Sequence, residues 1–416
     1  MGDLEIRSVN GDRDASVAWL RAVVTGFFKP TSVLSDEELE FRLARQPMAG
    51  ARGVFDGDRC VATYDSWPQR LTTVGGAELT GHAVSGVTVT ATHRRRGLLG
   101  RLMEPDLRAA KERGASVASL IAAEYRIYGR FGFGPATSFT NWKVDVHRSG
   151  FDRRWSPADL DGSVRIADAA EVREVAPALH ERFRARTPGA IDRDGLFWER
   201  MTGAAPMSPP LQPATHVIYR DAAGVPRGLV AYVVDDEWTH GQPNGTARAT
   251  YFYAEDDEAE AALWQLLMSL DWAGRLETGR ARPDSVLPLL LPDRRAAAAS
   301  QTADFLWVRP LDVPVMLAAR SYATEGELVF EVRDGLGLAN GRFLLSAGKE
   351  EAECAPTTRS ADVTLDVGAL AQLYLGDESA ARLRDAGLLT EETDGAAAHV
   401  DLLFHTGRRP WCPDMF

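Results

Sequence analysis

A chain of 416 residues is too long for one ordinary hydrophobic core, and at roughly 150 residues per domain it predicts two or three. Its 45% hydrophobic and 25% charged residues are those of a globular protein, and no run reaches the ~18 apolar residues that span a bilayer. The net charge of -12 weighs against nucleic acid as the main partner, because phosphate backbones demand clustered Lys and Arg. It favours cationic partners weakly, since most surface acidity serves solubility.

The first residues, MGDLEIRSVNGDRD, are charged and lack the apolar stretch of an export signal, so the cytoplasm is the expected location. LEIRSV reads as a strand, residues 15–28 as a helix, and ARGVFDGDRCVATYDSW as a hairpin turning at Asp56-Gly57-Asp58. A second turn is expected at Gly75-Gly76. Then come a strand VTVTA, a loop THRRRG and a helix LLGRLMEPDLRAAKER closed by Gly114. Pro105 lies deep for a first-turn proline, which predicts a bend or a later helix start. The strand VASLIAA, a short helix and the turn GRFGFGPA follow, completing a mixed sheet with helices on its faces over 1–150.

The next stretch, 151–304, begins as the first does: SVRIADAAEVREVAPALHERF echoes LEIRSVNGDRDASVAWLRAVV. HVIYRDAAGVPRGLVAYVV reads as a hairpin, and TARATYFYA followed by a helix repeats the strand and helix after Val87. In place of THRRRG this copy has EDDEAE, whose carboxylates suit a helix N-terminus and repel pyrophosphate. One anion site per chain is therefore expected. From 305 to 416 the character changes to strands GELVFEVRD, GRFLLSA and ADVTLD, two helices beginning with VGALAQLYLG, and a last strand AAAHVDLLFHT, a separate α+β unit. Cys60, Cys354 and Cys412 form no CxxC pair and the eight histidines no HExxH, so neither a disulfide framework nor a metal site is expected.

The chemistry concentrates in VTVTATHRRRGLLGRLM. A glycine joining strand to helix lets the backbone approach an anion, and the amides behind it point out of the helix N-terminus, where the dipole favours negative charge. Arg94, Arg95 and Arg96 add guanidinium groups that hold phosphate in a fork. With neither GxxxxGK[ST] nor a strand-linked GxGxxG in the chain, a nucleoside triphosphate or a nicotinamide fits poorly.

The same run resembles motif A of the GNAT acetyltransferases, and with IYGRFGFGPAT it is similar to the enhanced intracellular survival (Eis) branch of that superfamily. The resemblance implies two GNAT-like domains followed by a sterol-carrier-protein-like domain, assembled as hexamers, with acetyl-coenzyme A as cosubstrate. It implies that the backbone of Val87, Thr88 and Val89 pairs with the pantetheine arm. The cradle of Arg94, Arg95, Arg96, Gly97, Leu98, Leu99 and Gly100 would take the pyrophosphate, with Ala123 and Glu124 bordering the cofactor. It further implies Tyr128 as general acid and the carboxylate of Phe416 as general base.

The chemistry is consistent with that division. A Lys-like amine of pKa ~10.4 must lose a proton to attack a thioester, and a phenol near ~10 can protonate a departing thiolate. An α-carboxyl near ~3.5 is a weak base unless burial or a water relay assists it. Phe27, Phe28 and Trp67 are candidates for an aromatic wall of the acceptor pocket. Gly86, where relatives carry an aromatic residue, would widen it, and Met415 and Asp414 stand where an acidic side chain could meet a cationic substrate. The function expected is direct N-acetylation of primary amines on cationic small molecules, aminoglycosides by resemblance. Protein lysines are the rival acceptors, and a non-catalytic acyl-CoA or lipid-binding regulator the rival function.

Overall fold

The computed structural model describes residues 4–150, 161–207, 209–348 and 351–416. The first unit begins with β1 (Glu5–Ser8), α1 (Arg13–Gly26), α2 (Asp36–Arg45), β2 (Arg52–Asp56) and the long antiparallel pair β3 (Arg59–Thr72) and β4 (Glu78–Val89). It continues with α3 (Leu98–Glu112), β5 (Val117–Ile121), α4 (Tyr125–Tyr128), β6 (Gly134–Pro135) and β7 (Ser138–Asp145). Pro105 lies inside α3, which begins directly after Gly97, so the later start expected from that proline does not occur.

One buried face of α3, made by Leu98, Leu99, Leu102, Met103 and Leu107, packs on the sheet. Asp106 sits on that same face at 1% exposure. Its carboxylate accepts from the Tyr64 hydroxyl at 2.8 Å and lies 2.6 Å from His82 Nε2 and 2.9 Å from Arg52. Burial alone would raise this carboxyl, but His82, Tyr64 and Arg52 together pull it down to about 2, so it remains an anion that pins α3 to three strands.

The two halves exchange strands. The first seven-stranded sheet runs β1-β2-β3-β4-β5, then strand Leu306–Pro310, then β6. The second runs Ser163–Ala167, Thr215–Arg220, Pro226–Val234, Gly245–Ala254, Ala273–Glu277, then β7, then Ala297–Asp304. Read side by side, the orders correspond, and each sixth place is filled from the other half of the chain. Boundaries at 150 and 304 therefore do not follow the sheets: β7 belongs to the second and 306–310 to the first. Local pattern identifies a strand but not its partner, because a buried apolar strand fits the middle of either sheet.

The last unit is a five-stranded sheet ordered Ala352–Pro356, Gly341–Ala347, Gly326–Arg333, Val363–Asp366, Leu389–Glu391. The run expected as a final strand is instead the helix Ala396–Phe404, whose Ala396, Ala397, Val400, Leu403 and Phe404 recur at helical spacing on one buried face. Fully buried Arg309, on the exchanged strand, binds both oxygens of Asp334 at 2.8 and 2.7 Å and donates to the Phe131 carbonyl at 3.0 Å. This staple ties the third unit to the first.

Candidate active site

The first sheet opens a fork. β4 and β5 run parallel only from Gly81↔Val117 to Ala83↔Ser119, yet β4 continues to Val89 and β5 to Ile121. Beyond the split, Thr88 and Val89 still pair with β3 on one side, while their other edge has no strand against it among the described residues. Val87 and Val89 pack against the apolar cluster under the fork. At the mouth, β4 passes through the short turn Ala91–His93 and Arg94, Arg95 and Arg96 to Gly97, which caps α3 at φ +72° with no side-chain bond to its amides. The first turn of α3 contains no acidic residue, so the amides of Leu98, Leu99 and Gly100 keep their full donor character.

Arg95 adopts φ +63°, a conformation that costs a non-glycine residue about 1 kcal/mol or more. All three arginines are exposed, and none has a carboxylate partner among the described residues. The Arg94 guanidinium lies 5.0 Å above the Phe28 ring. Phe28 is thus 74% exposed beside the cradle and not part of the acceptor wall, a correction to its expected place. Ala123 and Glu124 lie just past β5, both exposed, with Glu124 opening α4.

Tyr128, at the end of α4, is 6% exposed and stands edge-on to Phe133 with centroids 6.3 Å apart. It belongs to the apolar cluster that also contains Val84, Leu120 and Phe131. Burial, helped by the charge of Glu124, pushes the phenol up to about 12, so it holds its proton at neutral pH. Its hydroxyl has no hydrogen-bond partner among the described residues and is free to donate.

On the other face of the fork lies a cleft of about 1440 Å3. Phe27, Trp67, Gly86 and Met415 line it together with Phe416, so four of the six expected pocket residues meet the chain end whose carboxylate is the expected base. Phe416 meets Trp67 edge-on at 5.9 Å. Gly86 sits at φ +58° beside a β-bulge, held by a 2.6 Å hydrogen bond from Thr63 to its carbonyl. A Cβ there would meet the Trp19 ring at 3.4 Å, an ordinary contact, so it is the positive φ and not a lack of space that favours glycine.

The chain end reaches the cleft through the second half. There, strands Gly245–Ala254 and Ala273–Glu277 part after Arg248↔Glu277, the counterpart of the first fork. Trp411 and Pro413 line a cavity at that second opening with Tyr251, Phe252 and Thr278, and the Trp411 indole donates to the Arg280 carbonyl at 3.1 Å. Asp256 caps the helix Asp257–Met268 from its own side chain, with Asp257, Glu258 and Glu260 in the first turn. The second copy therefore lacks a free helix N-terminus, and its fork is narrowed by the tail.

Asp414 corrects another expectation. It is 3% exposed and turned away from the cleft, accepting from Tyr253 at 2.5 Å, with His180 Nε2 at 3.2 Å and Arg193 at 3.4 Å. Burial opposes its ionisation, but Arg193, His180 and Tyr253 outweigh it and hold the carboxyl at about 2. It anchors the tail and does not face a substrate. Sequence reasoning missed Trp19, Asp65, Arg193 and Arg200 on the cleft wall. Only Asp65, a carboxylate inside the apolar strand VATYDSW, left a local trace.

Family models place an acetyltransferase (GNAT) domain at residues 5–136, a second acetyltransferase (GNAT) domain at 189–310 and a sterol carrier protein domain at 313–413. An uncharacterised N-acetyltransferase of Streptomyces griseus is 50% identical over 99% of this chain and 100% of its own length. The N-acetyltransferase Eis of Mycobacterium tuberculosis is 34% identical over 80% of each chain. The crystal structure of Eis1 from Mycobacterium abscessus superposes with a TM-score of 0.84 at 30% identity over the whole of both chains. Two GNAT domains built on exchanged strands, a sterol-carrier domain after them, and 34% identity to Eis over 80% of the chain make this chain a member of the Eis family of GNAT N-acetyltransferases, which use an acyl-coenzyme A cosubstrate.

Proposed function

We propose that the chain transfers the acetyl group of acetyl-coenzyme A directly to a primary amine of a small cationic acceptor, aminoglycosides being the class that family resemblance indicates. The observation that carries this reading is the fork itself, in which an uncapped helix N-terminus and three unpaired arginines lie at one end and an aromatic cleft at the other. The free edge of Val87, Thr88 and Val89 suits the amides of a pantetheine arm, and residues 94–100 suit the pyrophosphate. The capped and acidic helix N-terminus of the second copy supports one cofactor site per chain. The same resemblance suggests hexamers in the cytoplasm.

Bound acetyl-coenzyme A supplies the thioester. The carboxylate of Phe416 accepts the proton that the acceptor's ammonium must lose, directly or through water, so that the neutral amine can form the new C–N bond. Tyr128 donates its proton to the sulfur as the C–S bond breaks, and its apolar setting keeps that proton available. Purified chain incubated with acetyl-coenzyme A and an amine panel including an aminoglycoside is expected to release free coenzyme A thiol, with the acetyl group on the amine. Absence of thiol release with every amine, despite cofactor binding, would overturn the reading in favour of a carrier.

A further inference from the structure

Besides the terminal carboxylate of Phe416, already assigned as the base, the acceptor cleft contains three side-chain carboxylates and three guanidinium groups, and most of them are already matched. Asp192 accepts from the Arg70 backbone at 2.9 Å and its side chain at 3.2 Å, and Asp194 caps the helix Gly195–Met201. Arg42 is paired with Glu38 at 2.5 Å, and Arg193 is engaged by Asp414 and by the Phe197 ring at 4.4 Å. Two side chains remain without an ion-pair partner among the described residues.

The first is Asp65, on the bulge of β3 beside Gly86, 6% exposed, whose carboxylate accepts only the Ser66 amide at 2.9 Å. The second is Arg200, on the helix across the cleft, whose only polar partner is the Gln46 amide oxygen at 3.3 Å. Burial and then the nearby charge of Arg42 disfavour the Arg200 cation and outweigh the support of Asp194 and Glu38, neither of which forms an ion pair with it, so an anion brought to it would relieve a standing cost. Leaving opposite charges unmatched on two walls of one cavity is unfavourable unless a ligand completes both.

We propose that the cleft has two poles, Asp65 for the acceptor's ammonium and Arg200 for an anionic group on the same molecule, so that the preferred acceptors are amines that also carry a carboxylate or a phosphate. The inference rests on the acetyltransferase reading and shifts the preferred acceptors within it from purely cationic amines, aminoglycosides included, to ampholytes. Arg200 acts as a specificity residue: its guanidinium accommodates either anion in a fork, which ammonium groups do not reproduce.

The test uses the full chain with acetyl-coenzyme A and matched acceptors: 4-aminobutanoate and 6-aminohexanoate against their amides, and phosphoethanolamine against ethanolamine. Thiol release gives kcat/KM, and calorimetry with coenzyme A present gives binding. The acid of a pair is expected to exceed its neutral mate about ten-fold, mainly through KM. Arg200→Gln should collapse that ratio towards one, and Arg200→Lys should retain part of it. A larger ratio for the phosphate pair assigns the pole to phosphate, and a larger ratio for either carboxylate pair to carboxylate. Turnover of amines with no acid preference, or a ratio untouched in Arg200→Gln, overturns the two-pole cleft while leaving the acetyltransferase intact. Arg200-dependent binding of the acids without turnover of any amine upholds the anion pole and sinks the acetyltransferase reading. Neither binding nor turnover of the acids overturns the proposal.

Discussion

Arg193 and Asp414 form a buried ion pair at 3.4 Å, and the same arginine donates at 3.2 Å to the Met415 carbonyl one residue further on. The end of the chain is thus fastened at the residue just before the two that line the cleft. Replacing Asp414→Asn leaves Arg193 buried without its counter-ion and should free the last residues. Far-UV circular dichroism is expected to stay native while kcat falls at least about ten-fold; undiminished kcat would show that tail docking is dispensable.

Acid should act on the same anchor. The folded-state value of Asp414, about 2, lies below that of an ordinary carboxyl. Its stabilisation is therefore complete above about pH 4 and is lost as pH falls towards 2. Trp411 fluorescence, reporting the tail in the second fork, should shift over that window in the native chain and be shifted already at neutral pH in Asp414→Asn.

Changing Tyr128→Phe removes a donor that meets no protein acceptor, so stability should hardly change. Turnover should fall by about 10²-fold, in the range for loss of a positioned acid. The dissociation constant for coenzyme A should stay within about two-fold, since the cradle is distant from the phenol's task. Equal turnover of the two proteins would remove Tyr128 from the acid role.

Burial raises the Asp65 carboxyl to about 7, the Ser66 amide opposing and the charge of Asp106 adding to the shift. Its ionised fraction therefore rises as pH increases through neutrality, and an ammonium is held better above pH 7 than below. The kcat/KM profile for an amine should show an ascending limb near pH 7 that disappears in Asp65→Asn. A limb that persists in the variant would belong to another group.

Much of the site was legible because it is local. A strand, THRRRG and a helix are contiguous, and the loop from 90 to 97 forms between β4 and α3 as its residue types dictate. The repeat was legible for the same reason, since two similar strand and helix patterns recur. What sequence could not reveal is long-range pairing: β7 and 306–310 trade places, and Arg200 meets Gln46 across 154 residues of chain. Asp414 was misjudged because its neighbours in sequence gave no sign of Tyr253, His180 and Arg193 converging on it. The AAAHVDLLF run shows how a short apolar segment reads as strand or helix until its buried face is known.

The claim on which the rest depends is that the first fork, and not the second, grips a diphosphate. Isothermal calorimetry of acetyl-coenzyme A against the full chain should give one site per chain. An affinity loss of at least about a hundred-fold is expected when Arg94 and Arg95 are both changed to Glu, because two guanidinium contacts become repulsions. Absence of binding heat in the native protein, two sites per chain, or an unchanged affinity in the charge-reversed variant would contradict the account.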